Sequence, residues 1–123
     1  MEQIVRSKVL IVDDNDELRA LVAMLLDVEG FEAVTAGNGK EALEACALFH
    51  PDLILLDMRM PVMNGWEFAR ALRDRDEDPP PIVVFTAAED CARRAAEVQA
   101  VGMIGKPFEI EGLVTIIRRH LPP

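Results

Sequence analysis

Short apolar runs alternate along the chain with longer stretches in which apolar residues recur every three or four positions. The runs occupy residues 9–12, 31–36, 53–56, 82–85 and 103–104. Short runs of this kind predict strands, and the helical period between them predicts helices. A strand followed by a helix, repeated five times, is typical of a parallel sheet that carries helices on both faces.

The ends of the predicted helices carry their own signals. Asn38 stands three residues before Glu41 and Asn64 three before Glu67, which is the spacing of a capping box at a helix start. Gly30 follows the apolar residues of the first helix, where a glycine often ends a helix. The acidic and proline-rich stretch 74–81 predicts a loop between elements, too short to link two domains.

The runs differ from one another in a way that predicts the order of the strands. The first, third and fourth runs are apolar at every position, as expected of strands buried on both faces. The second run includes Glu32 and Thr35, and the fifth is short, so both are predicted at the edges of the sheet. With right-handed crossovers, the order 2-1-3-4-5 meets these conditions. The winding direction then changes between strands one and three, which is where open α/β sheets bind ligands.

Composition narrows the classes of protein that fit this fold. The chain has 123 residues, half of them hydrophobic, which is enough for one domain with its own core. Its 13 Lys and Arg stand against 22 Asp and Glu, a net charge of -9, so we expect no direct binding of nucleic acid or of an anionic membrane. No signal peptide or membrane-spanning run is found, and Cys46 and Cys91 lie in no paired motif, which favours a cytoplasmic protein with reduced thiols.

Charged and hydroxyl side chains follow the predicted strands at the rim where a ligand is expected. Asp13 and Asp14 follow the first run, Asp57 the third and Thr86 the fourth, and Lys106 comes just after the fifth. Three carboxylates at one rim would repel one another, and Mg²⁺ with its oxygen ligands would relieve that repulsion. An ammonium and a hydroxyl suit an anionic phosphoryl oxygen. Each residue alone could be a turn, cap or surface residue, but together they predict a phosphoryl-transfer site with a carboxylate nucleophile.

Five segments in sequence order carry a more specific pattern than the strand ends alone. They are residues 8–15 (KVLIVDDN), 36–43 (AGNGKEAL), 51–65 (PDLILLDMRMPVMNG), 86–87 (TA) and 106–108 (KPF). Together they resemble the receiver domain of bacterial two-component response regulators, from about Lys8 to about Leu121. The resemblance implies a flavodoxin-like, doubly wound α/β fold, a five-stranded parallel sheet in the order 2-1-3-4-5 with five helices, in a single receiver domain over residues 1–123.

The resemblance also implies a function, which is two-component phosphorelay signalling. Asp57 would accept a phosphoryl group from a sensor histidine kinase or a histidine phosphotransfer protein and thereby switch a protein-interaction face. Asp14, Asp57 and the backbone carbonyl of Arg59 would bind Mg²⁺ or Mn²⁺, with Asp13 acting through water. No separate substrate is expected, so the chain would not be an enzyme beyond its own phosphorylation and dephosphorylation.

The remaining site residues are implied in the same way. Lys106, the Thr86 hydroxyl and the backbone amides of Arg59 and Ala87 would hold the phosphoryl oxygens. The peptide bond between Lys106 and Pro107 resembles one that is cis in the family.

A switch is implied at Thr86, whose hydroxyl would move toward the new phosphoryl group. The helix predicted over residues 91–100 is rich in alanine, so we expect it to make few contacts and to be mobile, and to form the output face with strand five and the last helix. Receivers usually carry Tyr or Phe three residues before the lysine, as a partner of the threonine. This chain has Met103 there and contains no Tyr, so the switch pair would be Thr86 with a flexible methionine.

Two other functions are compatible with parts of the pattern. A small aspartyl-phosphate phosphatase of the haloacid-dehalogenase kind would also use a strand-end Asp, Mg²⁺, a hydroxyl and a Lys. It would typically need a second Asp two residues after the nucleophile, where this chain has Arg59. A receiver-like adaptor that is never phosphorylated would not need the complete site.

The partners beyond the phosphodonor stay open at this point. The output would be a separate effector protein or an output domain outside this sequence, and phosphorylation could promote a dimer. The sequence does not identify the cognate kinase or the stimulus.

Overall fold

Five parallel strands form one sheet, and helices alternate with them along the chain. The computed structural model describes residues 6–121, apart from the side chain of Ala88. Its strands are β1 (Lys8–Val12), β2 (Glu32–Ala36), β3 (Leu53–Leu56), β4 (Ile82–Ala87) and β5 (Gly102–Lys106). Its helices are α1 (Asp16–Val28), α2 (Gly39–Phe49), α3 (Gly65–Arg75), α4 (Cys91–Glu97) and α5 (Ile110–His120), and a 3₁₀ turn over Ala88–Asp90 precedes α4.

The strand order is β2-β1-β3-β4-β5, which confirms the order predicted from the apolar runs. Every residue of β3 is buried, and so are all of β1 after Lys8 and all of β4 up to Thr86. The edge strand β2 exposes Glu32 and Thr35. The polar residues of β2 therefore marked an edge strand because one side of such a strand stays in contact with water.

Alternate residues of each interior strand point to opposite faces of the sheet and build two separate cores. On one face, even-numbered residues such as Leu10, Ile54 and Val84 pack with α2 and α3. On the other face, odd-numbered residues such as Val9 and Phe85 pack with α1 and α5. The central strands are apolar at every position because both of their faces are covered.

The predicted helix starts differ in how completely they are capped. Asn64 and Glu67 form the full reciprocal capping box at the start of α3. The side chain of Asn38 caps α2 by accepting the Glu41 N–H at 2.9 Å, but the Glu41 carboxylate accepts the N–H of Gly37 instead of that of Asn38. The first helix ends at Val28, and Gly30 follows its C-cap residue as predicted, with a φ of 96° that glycine readily adopts.

Two predicted helix boundaries were wrong, and one strand is longer than its apolar run. The helix predicted over residues 91–100 ends at Glu97, because Gln99 takes a left-handed φ of 54° and the Ala100 N–H bonds to the Ala95 carbonyl, which closes the helix end. Helix α3 continues to Arg75, so the predicted loop begins two residues later than expected. Strand β5 is longer than its short apolar run because its backbone pairs with β4 from Gly102 to Lys106.

None of the helices in the described part of the chain has the length and apolar character that crossing a bilayer requires.

Candidate functional site

The site begins with the register of the central strands, which brings two aspartates side by side. Val12, the last residue of β1, pairs with Leu56, the last residue of β3. The chain continues from these residues into Asp13 and Asp57, and the Asp57 N–H donates to the Val12 carbonyl at 2.9 Å. Both aspartates therefore emerge at the carboxyl end of the sheet, next to the change in winding direction.

Asp13, Asp14 and Asp57 form an acidic cluster at this edge. One carboxylate oxygen from each lies within 4.8 Å of the others. Asp13 and Asp57 are buried and Asp14 is exposed, so the cluster is open to solvent on one side. The Asn15 N–H donates to Asp13 Oδ1 at 2.9 Å and helps to fix the direction of that carboxylate. Three carboxylate oxygens with an open side are a donor set that suits a hard cation such as Mg²⁺, so these residues fit the predicted metal.

Lys106 enters the same cluster from the end of β5. Its Nζ lies 2.6 Å from Asp13 Oδ2 and 3.7 Å from Asp57 Oδ2. The side chain is one-quarter exposed, whereas the Asp13 side chain is almost completely buried. In this structure the ammonium therefore pairs more closely with Asp13 than with Asp57, and it offsets part of the negative charge of the cluster. The Lys106–Pro107 peptide bond is cis.

This environment perturbs the pKa of Asp57. Burial, the largest influence, raises the pKa of Asp57 from 3.8 to about 6, and the neighbouring Asp13 carboxylate acts in the same direction. Lys106 and hydrogen bonds from the Met58 and Arg59 N–H groups act against this and lower the pKa. The carboxylate thus lies in a site that disfavours its charge until a cation balances it.

Thr86 and Ala87 end β4 beside the cluster. Thr86 is buried and pairs with Gly105, and Ala87 pairs with Lys106, so both lie next to the strand end that carries the lysine. The Thr86 carbonyl accepts a contact from the Cys91 Sγ at 3.5 Å, which connects this strand end to the start of α4.

Met103, the predicted switch partner, lies outside this cluster. It lies on β5, where it pairs with Val84 of β4, and the residue is 45% exposed. The structure therefore brings together Asp13, Asp14, Asp57 and Lys106 and leaves Met103 on the surface.

Helix α4 makes contacts with α3 that its alanine-rich sequence did not indicate. The Arg94 guanidinium lies 4.9 Å from the centre of the Trp66 ring on α3 and forms a 3.0 Å ion pair with Glu97. The hydrogen bond from Arg94, and a further one from the Trp66 indole, lower the pKa of Glu97. In addition, Arg73 donates a hydrogen bond to the Val98 carbonyl. These contacts join α4 to α3, and no pattern within the α4 sequence pointed to partners on another helix.

Phe85 is another residue close to the site that the sequence pattern did not indicate. The Lys106 Nζ lies 4.7 Å from the centre of its ring. Phe85 is one of four apolar residues in a row, a pattern that predicts only a buried strand. It differs from the other three residues of this run in having an aromatic ring, and it directly precedes Thr86.

Comparison with known proteins identifies the family. Residues 9–118 match the response regulator receiver domain family. Sporulation initiation phosphotransferase F of Bacillus subtilis is 34% identical over 116 residues, which are 94% of each chain. The DNA-binding response regulator MtrA of Mycolicibacterium smegmatis is 36% identical over 94% of this chain and 51% of MtrA. The structure of chemotaxis protein CheY4 of Vibrio cholerae has a TM-score of 0.85 and 35% identity, covering 95% of this chain and all of that one.

These relatives differ in length. The chain spans nearly all of the Bacillus protein, about half of MtrA, and only 25% of the regulatory protein AtoC of Escherichia coli. The shared part is the receiver domain in each case, and the matches do not favour the phosphatase alternative. The strand order, the acidic cluster and the family match agree, and the chain belongs to the response regulator receiver domains of two-component phosphorelay signalling.

Proposed function

We propose that Asp57 accepts a phosphoryl group from a phosphohistidine on a sensor kinase or phosphotransfer protein. The observation that carries this proposal is the cluster of three carboxylates and one ammonium at the edge where β1, β3 and β5 end. A carboxylate oxygen of Asp57 would attack the phosphorus while the phosphorus–nitrogen bond to histidine breaks. The products are an acyl phosphate on Asp57 and a neutral histidine that regains its proton from solvent.

Asp13, Asp14 and Asp57 would hold Mg²⁺ or Mn²⁺, together with the backbone carbonyl of Arg59. The bound metal would supply charge neutralisation of the phosphoryl oxygens in the transition state. Because the Asp57 carboxylate has a pKa raised to about 6, a cation beside it also favours the ionised form that attacks.

Lys106 and the strand end of β4 would receive the phosphoryl oxygens. The ammonium already lies 3.7 Å from Asp57 Oδ2, so a small shift away from Asp13 would bring it to a phosphoryl oxygen. The buried Thr86 hydroxyl and the backbone N–H groups of Arg59 and Ala87 would complete the oxyanion contacts. Little covalent help is needed beyond this positioning, because the transition state of phosphoryl transfer is loose.

The consequence of phosphorylation would be a change at the face formed by α4, β5 and α5. Thr86 would move toward the phosphoryl group, and the contact between its carbonyl and Cys91 would transmit that movement to α4. The face would bind an effector protein, an output domain of the same chain or a second receiver. Self-catalysed loss of the phosphoryl group would reset the switch.

The two cysteines of the chain support a reducing location. Cys46 and Cys91 are both free and buried, which suits a cytoplasmic protein. The single receiver domain would extend over residues 1–123.

Incubation with acetyl phosphate and Mg²⁺, followed by intact mass spectrometry, tests the proposal. We expect one phosphoryl adduct that disappears in EDTA and in the Asp57→Asn variant. Asp52, which is half-buried and lies at the opposite end of β3, provides a matched control, and Asp52→Asn should keep the adduct. An adduct of undiminished yield in Asp57→Asn, or none in the native chain, would refute the assignment.

A further inference from the structure

We infer that Phe85 is a positioning residue for phosphoryl transfer, whose ring face holds the Lys106 ammonium at the carboxylate cluster. The inference rests on the proposed function, because it concerns how Lys106 reaches the phosphoryl group. It adds a residue that would touch neither the metal nor the phosphoryl group and would act only through the lysine.

The contact has the geometry of a cation–π interaction. The Lys106 Nζ lies 4.7 Å from the centre of the Phe85 ring, within the range in which the electron-rich face attracts a cation. The same ammonium lies 2.6 Å from Asp13 Oδ2 and 3.7 Å from Asp57 Oδ2. The ring and the two carboxylates thus act on one charge.

The ring is a fixed support, in contrast to the lysine. Phe85 is fully buried and belongs to β4, which is hydrogen-bonded to β3 on one side and to β5 on the other. Phe108 packs against it, with ring centres 5.3 Å apart and planes at 74°. Phe108 follows Lys106 by two residues, so the segment directly after the lysine is itself packed on the ring that faces its ammonium.

The ring matters most when the carboxylates are occupied. Without a metal, Asp13 holds Lys106 through a short ion pair. A bound Mg²⁺ takes up the charge of the same carboxylates, so their attraction for the ammonium weakens. The face of Phe85 does not bind the metal, and its attraction for the ammonium stays. In the metal-loaded protein the ring would therefore keep Lys106 close to Asp57 when the phosphodonor arrives.

A purely structural role for Phe85 makes a different prediction, and ring fluorination separates the two. Each fluorine withdraws electron density from the ring face while leaving the shape of the side chain almost unchanged. If Phe85 only fills the core, phosphorylation should not depend on the number of fluorine atoms. If it holds the ammonium, the rate should fall stepwise as fluorine atoms are added.

The experiment places phenylalanine with one, two or three ring fluorine atoms at position 85 of the full chain by site-specific incorporation. The rate of adduct formation from acetyl phosphate and Mg²⁺ is then followed by mass spectrometry. We expect a steady decrease, reaching about threefold to tenfold for the trifluoro ring, as the loss of a partly buried cation–π contact would give. The temperature of unfolding should stay nearly constant across the series.

Two controls complete the design. Trifluorophenylalanine at Phe68, which is fully buried in the core on the other face of the sheet, should leave the rate unchanged. Phe85→Leu, which keeps a bulky apolar side chain without a ring, should be at least as slow as the trifluoro variant. Equal rates across the fluorine series would overturn the inference while leaving Asp57 phosphorylation intact, whereas no adduct in the unmodified chain would refute the proposed function itself.

Discussion

Asp57 is subject to opposing influences within a few ångströms. Its burial and the neighbouring Asp13 oppose ionisation, while Lys106 and two backbone N–H groups favour it. A nucleophilic carboxylate needs to be ionised, and a buried carboxylate is costly to ionise. The residue is thus destabilising in the metal-free protein, and binding of a cation would remove much of that cost.

The pH dependence of stability follows from this, and its sign is fixed by the direction of the shift. Because the folded-state pKa is about 6 against an ordinary value of 3.8, the fold favours the protonated form. The stabilising contribution is complete below pH 3.8 and is lost as the pH rises through 6. In EDTA, Asp57→Asn should therefore be more stable than the native chain at pH 7, by at most about 3 kcal/mol, and the difference should shrink toward pH 4.

Urea unfolding of both proteins at several pH values measures this difference. A gap between them that stays the same from pH 4 to pH 7 would contradict the raised pKa.

At the scale of elements, α4 makes contacts with other elements that its own sequence pattern did not indicate. Its seven residues include three alanines and no large apolar side chain, which favoured a mobile helix. The structure shows that α4 contacts α3 through Arg94 and Trp66, and β4 through Cys91. If α4 moves on phosphorylation, these contacts are the ones that have to change.

Two neighbouring arginines of α4 allow this attachment to be tested. Arg94 is 9% exposed and contacts Trp66, whereas Arg93 is exposed and pairs with Asp90 on the surface. We expect Arg94→Ala to lower the free energy of unfolding by about 1 kcal/mol or more and to make Trp66 more accessible to acrylamide quenching. Arg93→Ala should change stability by less than about 0.5 kcal/mol.

Because the chain contains a single tryptophan, the fluorescence reports on the surroundings of Trp66. Equal quenching in the two variants would show that Arg94 does not hold α4 against α3.

The parts of the fold that could be predicted from sequence are those set by local burial. Strand order followed from which runs were apolar throughout, and Asp13 and Asp57 were found because parallel strands end at one edge. The choice of Asp13 as the partner of Lys106 could not be predicted, since two carboxylates compete within 4 Å and only side-chain geometry separates them. The contact of Arg94 with Trp66 joins residues 28 positions apart on different helices, a distance that no period reveals.

At the scale of the whole molecule, an excess of nine negative charges acts on a site that is itself acidic. Neutralisation by a cation lowers the free energy more at the site than at the surface, because two of the three carboxylates of the site are buried. A cation that binds the folded chain but not the unfolded chain shifts the folding equilibrium toward the folded state by mass action. The metal should therefore stabilise the entire domain and not only the loops that contact it.

Thermal unfolding with increasing Mg²⁺ measures this coupling. At a concentration of about 100 times its dissociation constant, Mg²⁺ should add about 2.7 kcal/mol of stability. Asp14→Asn should lose most of this gain, and Asp16→Asn, an exposed aspartate nearby that pairs with Arg19, should keep it. An equal gain in both variants would place the cation elsewhere.

The ion pair between Asp13 and Lys106 joins residues 93 positions apart in a chain of 123. During synthesis on the ribosome, Asp57 emerges long before the lysine that completes its site. If Asp57 accepts the phosphoryl group as proposed, a nascent or truncated chain without β5 would display this aspartate while lacking the lysine of its site. Phosphorylation would then require a sheet to which β5 has already been added.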